Sequence, residues 1–219
     1  MDELDLQIRN FLYRCFAETG QAPRTGDVAT EFGLPGEEAE AAFRRLHGAH
    51  ALVLEREALE IRMLNPFSCV PSTWRVEAGG RQWYSNCAWD SFAVCAALHS
   101  DGRIESSCAD CGEPLAVDVG DQKPVQRDYL FHVLVPARQW WDDIVFTWTT
   151  MNLFRSEEHL ERWLAGRDRG ATTSLDTVCE LAHAWYADRL DPDWRPHTLE
   201  HNQAILDRLG LTGEFWQLG

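Results

Sequence analysis

Apolar residues recur every three or four positions in three early segments of the chain, which is the spacing of one helix face. Gly20 and Gly33 follow the first two segments, and glycine is common where a helix ends. Short apolar runs on either side of Glu55, Arg56 and Glu57 predict a hairpin. The predicted elements are helices at 4–18, 25–32 (with Thr25 as N-cap) and 35–46, and strands at 51–54 and 59–63. Three helices and a hairpin are typical of a winged helix-turn-helix unit, which we place at residues 1–64.

The rest of the chain predicts a second domain at residues 65–219. Pro66 and Pro71 restrict the joint between the two units to extended conformations. Strands and helices then follow one another, and a helical tail ends the chain. The predicted strands are 73–77, 81–86, 103–107, 115–119 and 129–135, and the predicted helices are 89–99, 137–143, 157–164 (with Ser156 as N-cap), 174–189 and 197–209. The predicted fold class is therefore α+β, with a mixed sheet that has helices at its edges.

The net charge narrows the classes of molecule that the protein is expected to bind. The formal net charge is −15, with 35 acidic and 20 basic residues. Nucleic-acid binding depends on lysine and arginine that neutralise phosphates, and the third predicted helix begins with Glu37, Glu38 and Glu40, so the sequence argues against DNA as a partner. An acidic N-terminus and the lack of a long apolar run predict a protein without a membrane span, and we expect a cytoplasmic location. A homodimer is compatible with the sequence.

The candidate chemistry centres on Cys87, which lies three residues before Asp90. A thiolate is a soft nucleophile and metal ligand, and a neighbouring carboxyl group can take or deliver a proton. The alternative is structural: Cys87 would be a small buried side chain, and Asp90 would cap the following helix. A helix N-terminus lowers the pKa of a nearby thiol, so we expect Cys87 to be the most reactive of the seven thiols.

Cys108 and Cys111 provide a second group of thiols. They stand two residues apart and precede Gly112, which is the spacing of half a zinc site. No second pair of ligands with zinc-site spacing follows nearby. We therefore consider an open site in which Cys108 or Cys111 approaches Cys87 and the thiols hold a soft metal ion such as mercury, copper or zinc. The alternative is that Cys111 is an ordinary turn residue.

Residues 80–117 resemble the core of the organomercurial (alkylmercury) lyase family. The resemblance rests on Trp83 through Phe92, on the segment Ile104–Cys108 and on Gly112–Val117, and it extends from about Gly20 to Trp163. It implies that Cys87 matches the first catalytic cysteine and Asp90 the catalytic acid. In that family two thiolates hold and polarise mercury while the aspartate protonates the departing carbon. No resident cofactor is implied.

The resemblance also implies one departure from the family. Matching Leu153–Ser156 to the family pattern puts Trp148 at the position of the second catalytic cysteine, in a segment expected to be a strand, and no cysteine lies between Cys111 and Cys179. Trp148, Trp89 and Trp83 are candidates for the wall of an apolar substrate pocket.

Two functions follow from these observations. The first is a lyase-like enzyme in which Cys87 and Asp90 act on an organometallic or other electrophilic small molecule. The second is a binding or regulatory protein with the same fold, which holds a soft metal ion through Cys87 and Cys111 without turnover. Trp148 discriminates between them, because it either fills the substrate space or leaves a pocket open.

Overall fold

A computed structural model describes all 219 residues, and it begins with three helices as the apolar pattern predicts. They are α1 (Glu3–Thr19), α2 (Thr25–Phe32) and α3 (Gly36–Gly48). Asp2 caps α1 by accepting a hydrogen bond from the Asp5 backbone N–H. Thr25 is not the N-cap of α2, because it already lies inside the helix and Arg24 precedes it. The Asp27 carboxylate satisfies the Arg24 backbone N–H instead.

Eight strands form the main sheet, and every pair in it is antiparallel. The expectation of a mixed sheet is therefore wrong in strand direction, although the α+β class is confirmed. The spatial order is β1-β2-β3-β5-β4-β6-β7-β8. The strands are β1 (Val53–Leu54), β2 (Ile61–Leu64), β3 (Phe67–Ser68), β4 (Arg75–Ala78), β5 (Arg81–Ser85), β6 (Gly102–Ser107), β7 (Pro114–Gly120) and β8 (Lys123–Pro124).

The sheet runs across the predicted domain boundary at residue 64. The early hairpin, β1 and β2, joins the later strands through β3, which pairs with β5. One cluster of 53 buried residues also draws side chains from both sides of the boundary, from Ile8 to Trp216. The division into residues 1–64 and 65–219, and the winged-helix interpretation of the first part, stay predictions.

A second, three-stranded antiparallel sheet lies in the later half of the chain, with β9 between β10 and β11. Helices surround the two sheets, and α4 packs against both α7 and the main sheet. The remaining elements are β9 (Leu130–Val133), β10 (Asn152–Phe154), β11 (Ala171–Thr173), α4 (Ala88–Ala97), α5 (Ile144–Thr149), α6 (Glu157–Trp163), α7 (Leu175–Tyr186) and α8 (Leu199–Arg208). None of these helices combines the length and the apolar character that crossing a bilayer requires.

Residues 137–150 differ from the expectation. The predicted helix at 137–143 is only a 3₁₀ turn at Ala137–Gln139. The following segment, expected to be a strand because it contains Trp148 in the resemblance, is the helix α5. Asp143 begins α5 by accepting a hydrogen bond from the Phe146 backbone N–H at 2.9 Å. The cap outweighs the strand preference of the β-branched and aromatic residues in α5.

Candidate functional site

Cys87 lies at the junction between β5 and α4, with its backbone extended and its side chain at the N-cap position. Its Sγ accepts a hydrogen bond from the Asp90 backbone N–H at 3.4 Å. The Ala88 N–H bonds to the Met151 carbonyl at 3.1 Å, which joins the start of α4 to the segment after α5. Through this link the Met151 thioether reaches Cys87, with Sδ and Sγ 3.8 Å apart.

Asp90 is fully buried in the first turn of α4. The Asn86 amide donates to its Oδ2 at 2.9 Å, and its Oδ1 has no hydrogen-bond partner in the protein. Burial raises the pKa of Asp90 from the usual 3.8 to about 7, although the Asn86 amide, the Arg189 charge and the Tyr186 hydroxyl favour the ionised form. This carboxyl group can therefore hold or release a proton near neutral pH.

The Cys87 thiol is protonated more firmly than the sequence predicts. Burial raises its pKa well above the ordinary value, and the neighbouring Asp90 charge raises it further. The backbone N–H groups of Trp89 and Asp90 act in the opposite direction, but burial outweighs them. The pKa effect expected from the helix N-terminus is therefore overcome by burial, because the side chain is entirely buried, and the greater reactivity of Cys87 stays a prediction.

A cavity of about 280 Å³ reaches Met151, which contacts Cys87, and Trp89, which precedes Asp90, but neither Cys87 nor Asp90 itself lines it. Trp89 and Trp148, two of the three tryptophans considered for a pocket wall, line it together with Met151 and Tyr186. The Trp89 ring contacts Trp140 and Trp185, with ring centroids 5.4 Å apart in each case. The volume is close to the lower bound of about 300 Å³ for small-molecule sites, so the cavity suits a small apolar ligand.

Trp83 does not reach this cavity. It lies in the core, where its ring is 5.2 Å from Phe67 and 5.9 Å from Phe16. Its indole N–H donates to the Ala78 carbonyl at 3.1 Å. Of the three tryptophans proposed for the pocket, two therefore line it and Trp83 supports the sheet.

Several polar groups accompany the aromatic wall. Asn65, Asn202 and Arg189 line the cavity, and each carries a buried polar atom without a hydrogen-bond partner in the protein. Buried polar atoms without partners cost free energy, and a ligand can satisfy them. The cavity can thus accommodate an apolar group together with an acceptor or a negative charge near Arg189.

Cys108 and Cys111 meet a different partner from the one the sequence suggests. Their thiols and the His159 imidazole form a group in which all ligand atoms lie within 4.8 Å of one another. Cys87 is not part of this group, and its sulfur contacts Met151 instead. The other thiols have no such cluster: Cys95 and Cys179 are buried, and Cys15 and Cys69 are partly buried.

Sequence reasoning missed three residues of the site. Met151 follows α5, Tyr186 ends α7, and Arg189 comes one turn after Tyr186. The approach of Tyr186 and Arg189 depends on the packing of α7 against α4, and that of Met151 on its backbone bond with Ala88. The one local signal is the apolar face of α7, which predicts a buried helix and does not identify what it packs against.

A protein-family model and a solved structure are similar to this chain. The model of the alkylmercury lyase (MerB) family matches residues 67–187, more than half of the 219. The crystal structure of the mercury-bound form of MerB2 has the same fold, with a TM-score of 0.70 and 21% sequence identity over 87% of this chain and 93% of that chain. A comparison with curated protein sequences gives no match. The matched segment contains β3 through α7 and with them Cys87, Asp90, Trp89 and Trp148, and the chain belongs to the alkylmercury lyase family.

Proposed function

We propose that the protein captures organomercurials, or related electrophilic small molecules, at Cys87 and that Asp90 handles the proton of the reaction. One observation carries the proposal: a fully buried thiol and a carboxyl group with a pKa of about 7 are neighbours, and a tryptophan-lined cavity reaches Met151, which contacts the thiol. Such a pair is costly to bury, and its perturbed pKa favours a functional role over a structural one.

In the first step the thiol exchanges its proton for the organomercury group. A compound R–Hg–X gives R–Hg–S(Cys87), X⁻ leaves, and the ionised Asp90 accepts the thiol proton. The high pKa of Cys87 does not prevent this step, because the sulfur–mercury bond replaces the sulfur–hydrogen bond. The fraction of ionised Asp90 rises with pH through about 7, so we expect capture to become faster over that range.

In the second step the carbon–mercury bond breaks. The electron pair of that bond takes the proton from Asp90 and forms R–H, and Hg(II) remains on the Cys87 sulfur. The burial of Asp90 supports this role, because it raises the pKa of the carboxyl group to about 7 and so keeps a proton available for the departing carbon near neutral pH.

Trp148 limits the second step in our proposal. In the family pattern it takes the position of the second catalytic cysteine, and an indole cannot ligate or polarise mercury. Met151 is one turn further along, with its N–H bonded to the Trp148 carbonyl at 3.2 Å, and its thioether contacts the Cys87 sulfur. A neutral thioether donates less charge than a thiolate. We therefore expect slow cleavage with retained capture.

Replacing Met151 by leucine should weaken phenylmercury binding at Cys87 by about tenfold, or about 1.4 kcal/mol. Leucine keeps the volume and removes the sulfur, so the fold should lose less than about 1.5 kcal/mol. Competition of the protein against a small dithiol for phenylmercury measures the change. Binding equal to the wild type would show that Met151 only packs against Cys87.

The test of the proposed function is the release of benzene from phenylmercury. We expect slow release by the wild type and background release by Cys87→Ser. Cys95→Ala is the matched control, because Cys95 is a buried thiol of the same helix that packs toward Gly102. Equal release by the wild type and Cys87→Ser would contradict the proposal.

The second candidate function is mercury or organomercury binding without turnover, and the presence of Trp148 in the cavity wall favours it. The same assay separates the two candidates. Phenylmercury that stays bound to Cys87 without benzene above background supports a binding protein. Release that depends on Cys87 supports an enzyme.

A further inference from the structure

The loop between β6 and β7 folds its two cysteines toward α6. The Cys108 N–H bonds to the Glu113 carbonyl, and the Gly112 N–H bonds to the Cys108 carbonyl, each at 2.9 Å. Gly112 has a φ of +75°, a left-handed conformation that glycine adopts without strain. This tight turn places both sulfurs on one side of the loop.

The turn also directs backbone N–H groups toward the Cys108 sulfur. Those of Cys111, Arg155 and Asp110 converge on it. N–H groups in this arrangement stabilise a thiolate, which is the form of cysteine that binds metal ions.

His159 completes the group from the first turn of α6. Its Nδ1 lies 3.7 Å from the Cys108 sulfur. For a tetrahedral zinc ion with bonds of about 2.3 Å to sulfur and 2.0 Å to nitrogen, the sulfur–nitrogen separation is about 3.5 Å. The separation of these two atoms is therefore close to that of two ligands of one ion.

Other contacts hold the group in position. The Ala109 N–H bonds to the Leu153 carbonyl at 3.3 Å, which ties the loop to β10. Asp110 accepts from Arg162 at 2.7 Å and lies 3.0 Å from His159 Nδ1. The loop and α6 are thus joined by contacts that do not involve either thiol, and outer partners of this kind orient metal ligands.

We propose that Cys108, Cys111 and His159 form a binding site for a thiophilic divalent cation of the zinc type, separate from Cys87. Two sulfurs and one imidazole are ligands that zinc prefers. Cys111 is exposed, so the fourth position faces solvent and is available to water. The Asp110 contact with His159 Nδ1 must give way when that nitrogen binds the ion, and the carboxylate then keeps its bond to Arg162.

The experiment uses the full chain under a thiol-free reductant and titrates it with Zn²⁺ against a chromogenic chelator. We expect one ion per chain, and Cys111→Ser and His159→Gln should each raise the dissociation constant by at least about 100-fold, since even outer partners contribute about 10- to 100-fold. Cys15→Ser is the control, because Cys15 lies on α1, is partly exposed and should leave binding unchanged.

Co²⁺ gives a second readout, because its visible absorption identifies tetrahedral coordination with thiolate ligands. We expect that spectrum in the wild type and in Cys15→Ser, and its loss in Cys111→Ser. No stoichiometric Zn²⁺ binding by the reduced wild type, or binding that both ligand variants retain, would overturn the proposal. The outcome is independent of benzene release, which depends on Cys87.

Discussion

Replacing Asp90 by asparagine should change the free energy of unfolding more favourably at high pH than at low pH. The full difference between the two effects should be about 4 kcal/mol. The pKa of Asp90 is about 7 in the folded state against an ordinary 3.8. A group with a raised pKa stabilises the fold below its unfolded pKa, and that contribution is lost as the pH rises through the folded pKa. Asparagine has nearly the shape of aspartate and stays neutral. The variant therefore does not lose this contribution to the free energy of unfolding between about pH 4 and pH 7. Urea unfolding at pH 5 and pH 9 should show about 3 kcal/mol of this difference, because part of the loss is already present at pH 5.

The matched control for this prediction is Asp168→Asn, because Asp168 is exposed. Its free energy of unfolding should differ from that of the wild type by the same small amount at both values of pH. If Asp90→Asn also differs from the wild type equally at pH 5 and pH 9, Asp90 is not held protonated near neutral pH, and its role as the proton donor loses its basis.

Replacing Trp148 by cysteine should accelerate benzene release from phenylmercury at least about 100-fold, which corresponds to about 2.7 kcal/mol in the activation free energy. Trp148 lines the cavity one turn before Met151, so a thiol at this position faces the same space. A second thiolate adds charge to the mercury and weakens its bond to carbon. The change should also cost about 3 kcal/mol of stability, because it removes a large buried ring.

The Trp148→Ala variant distinguishes the effect of an added thiol from the effect of a larger cavity. It opens the cavity by a similar amount and adds no ligand, so its release rate should stay near that of the wild type. Equal acceleration by the alanine and cysteine variants would mean that Trp148 acts by excluding substrate, and no acceleration by either would mean that position 148 does not reach the mercury.

Local patterns predict those elements whose signal lies in neighbouring residues. The spacing of apolar residues predicts α1 to α3 and α7, and Ser156 predicts the start of α6, where its hydroxyl accepts from the His159 N–H. The short strands β3, β8, β10 and β11 have two or three residues each and carry no pattern of their own. They form because a neighbouring strand offers unpaired backbone groups, which is a property of the assembled sheet.

For the site, too, the sequence predicts only those features that neighbouring residues determine. Cys87 and Asp90 could be singled out because they are three residues apart and bear complementary chemistry. His159 lies 48 positions after Cys111, and Met151 lies 64 positions after Cys87. The spacing of residues along the sequence therefore cannot predict either contact. The pKa of Cys87 could not be predicted either, because burial decides it and the helix N-terminus has the smaller effect.

The most direct measurement locates the mercury after one equivalent of phenylmercury is added to the Cys111→Ser variant, which lacks the exposed thiol. Anomalous diffraction from crystals of this complex should give one dominant peak within bonding distance of the Cys87 sulfur, on the side of Met151 and next to the Trp148 ring. A peak at another thiol, with none at Cys87, would contradict the account.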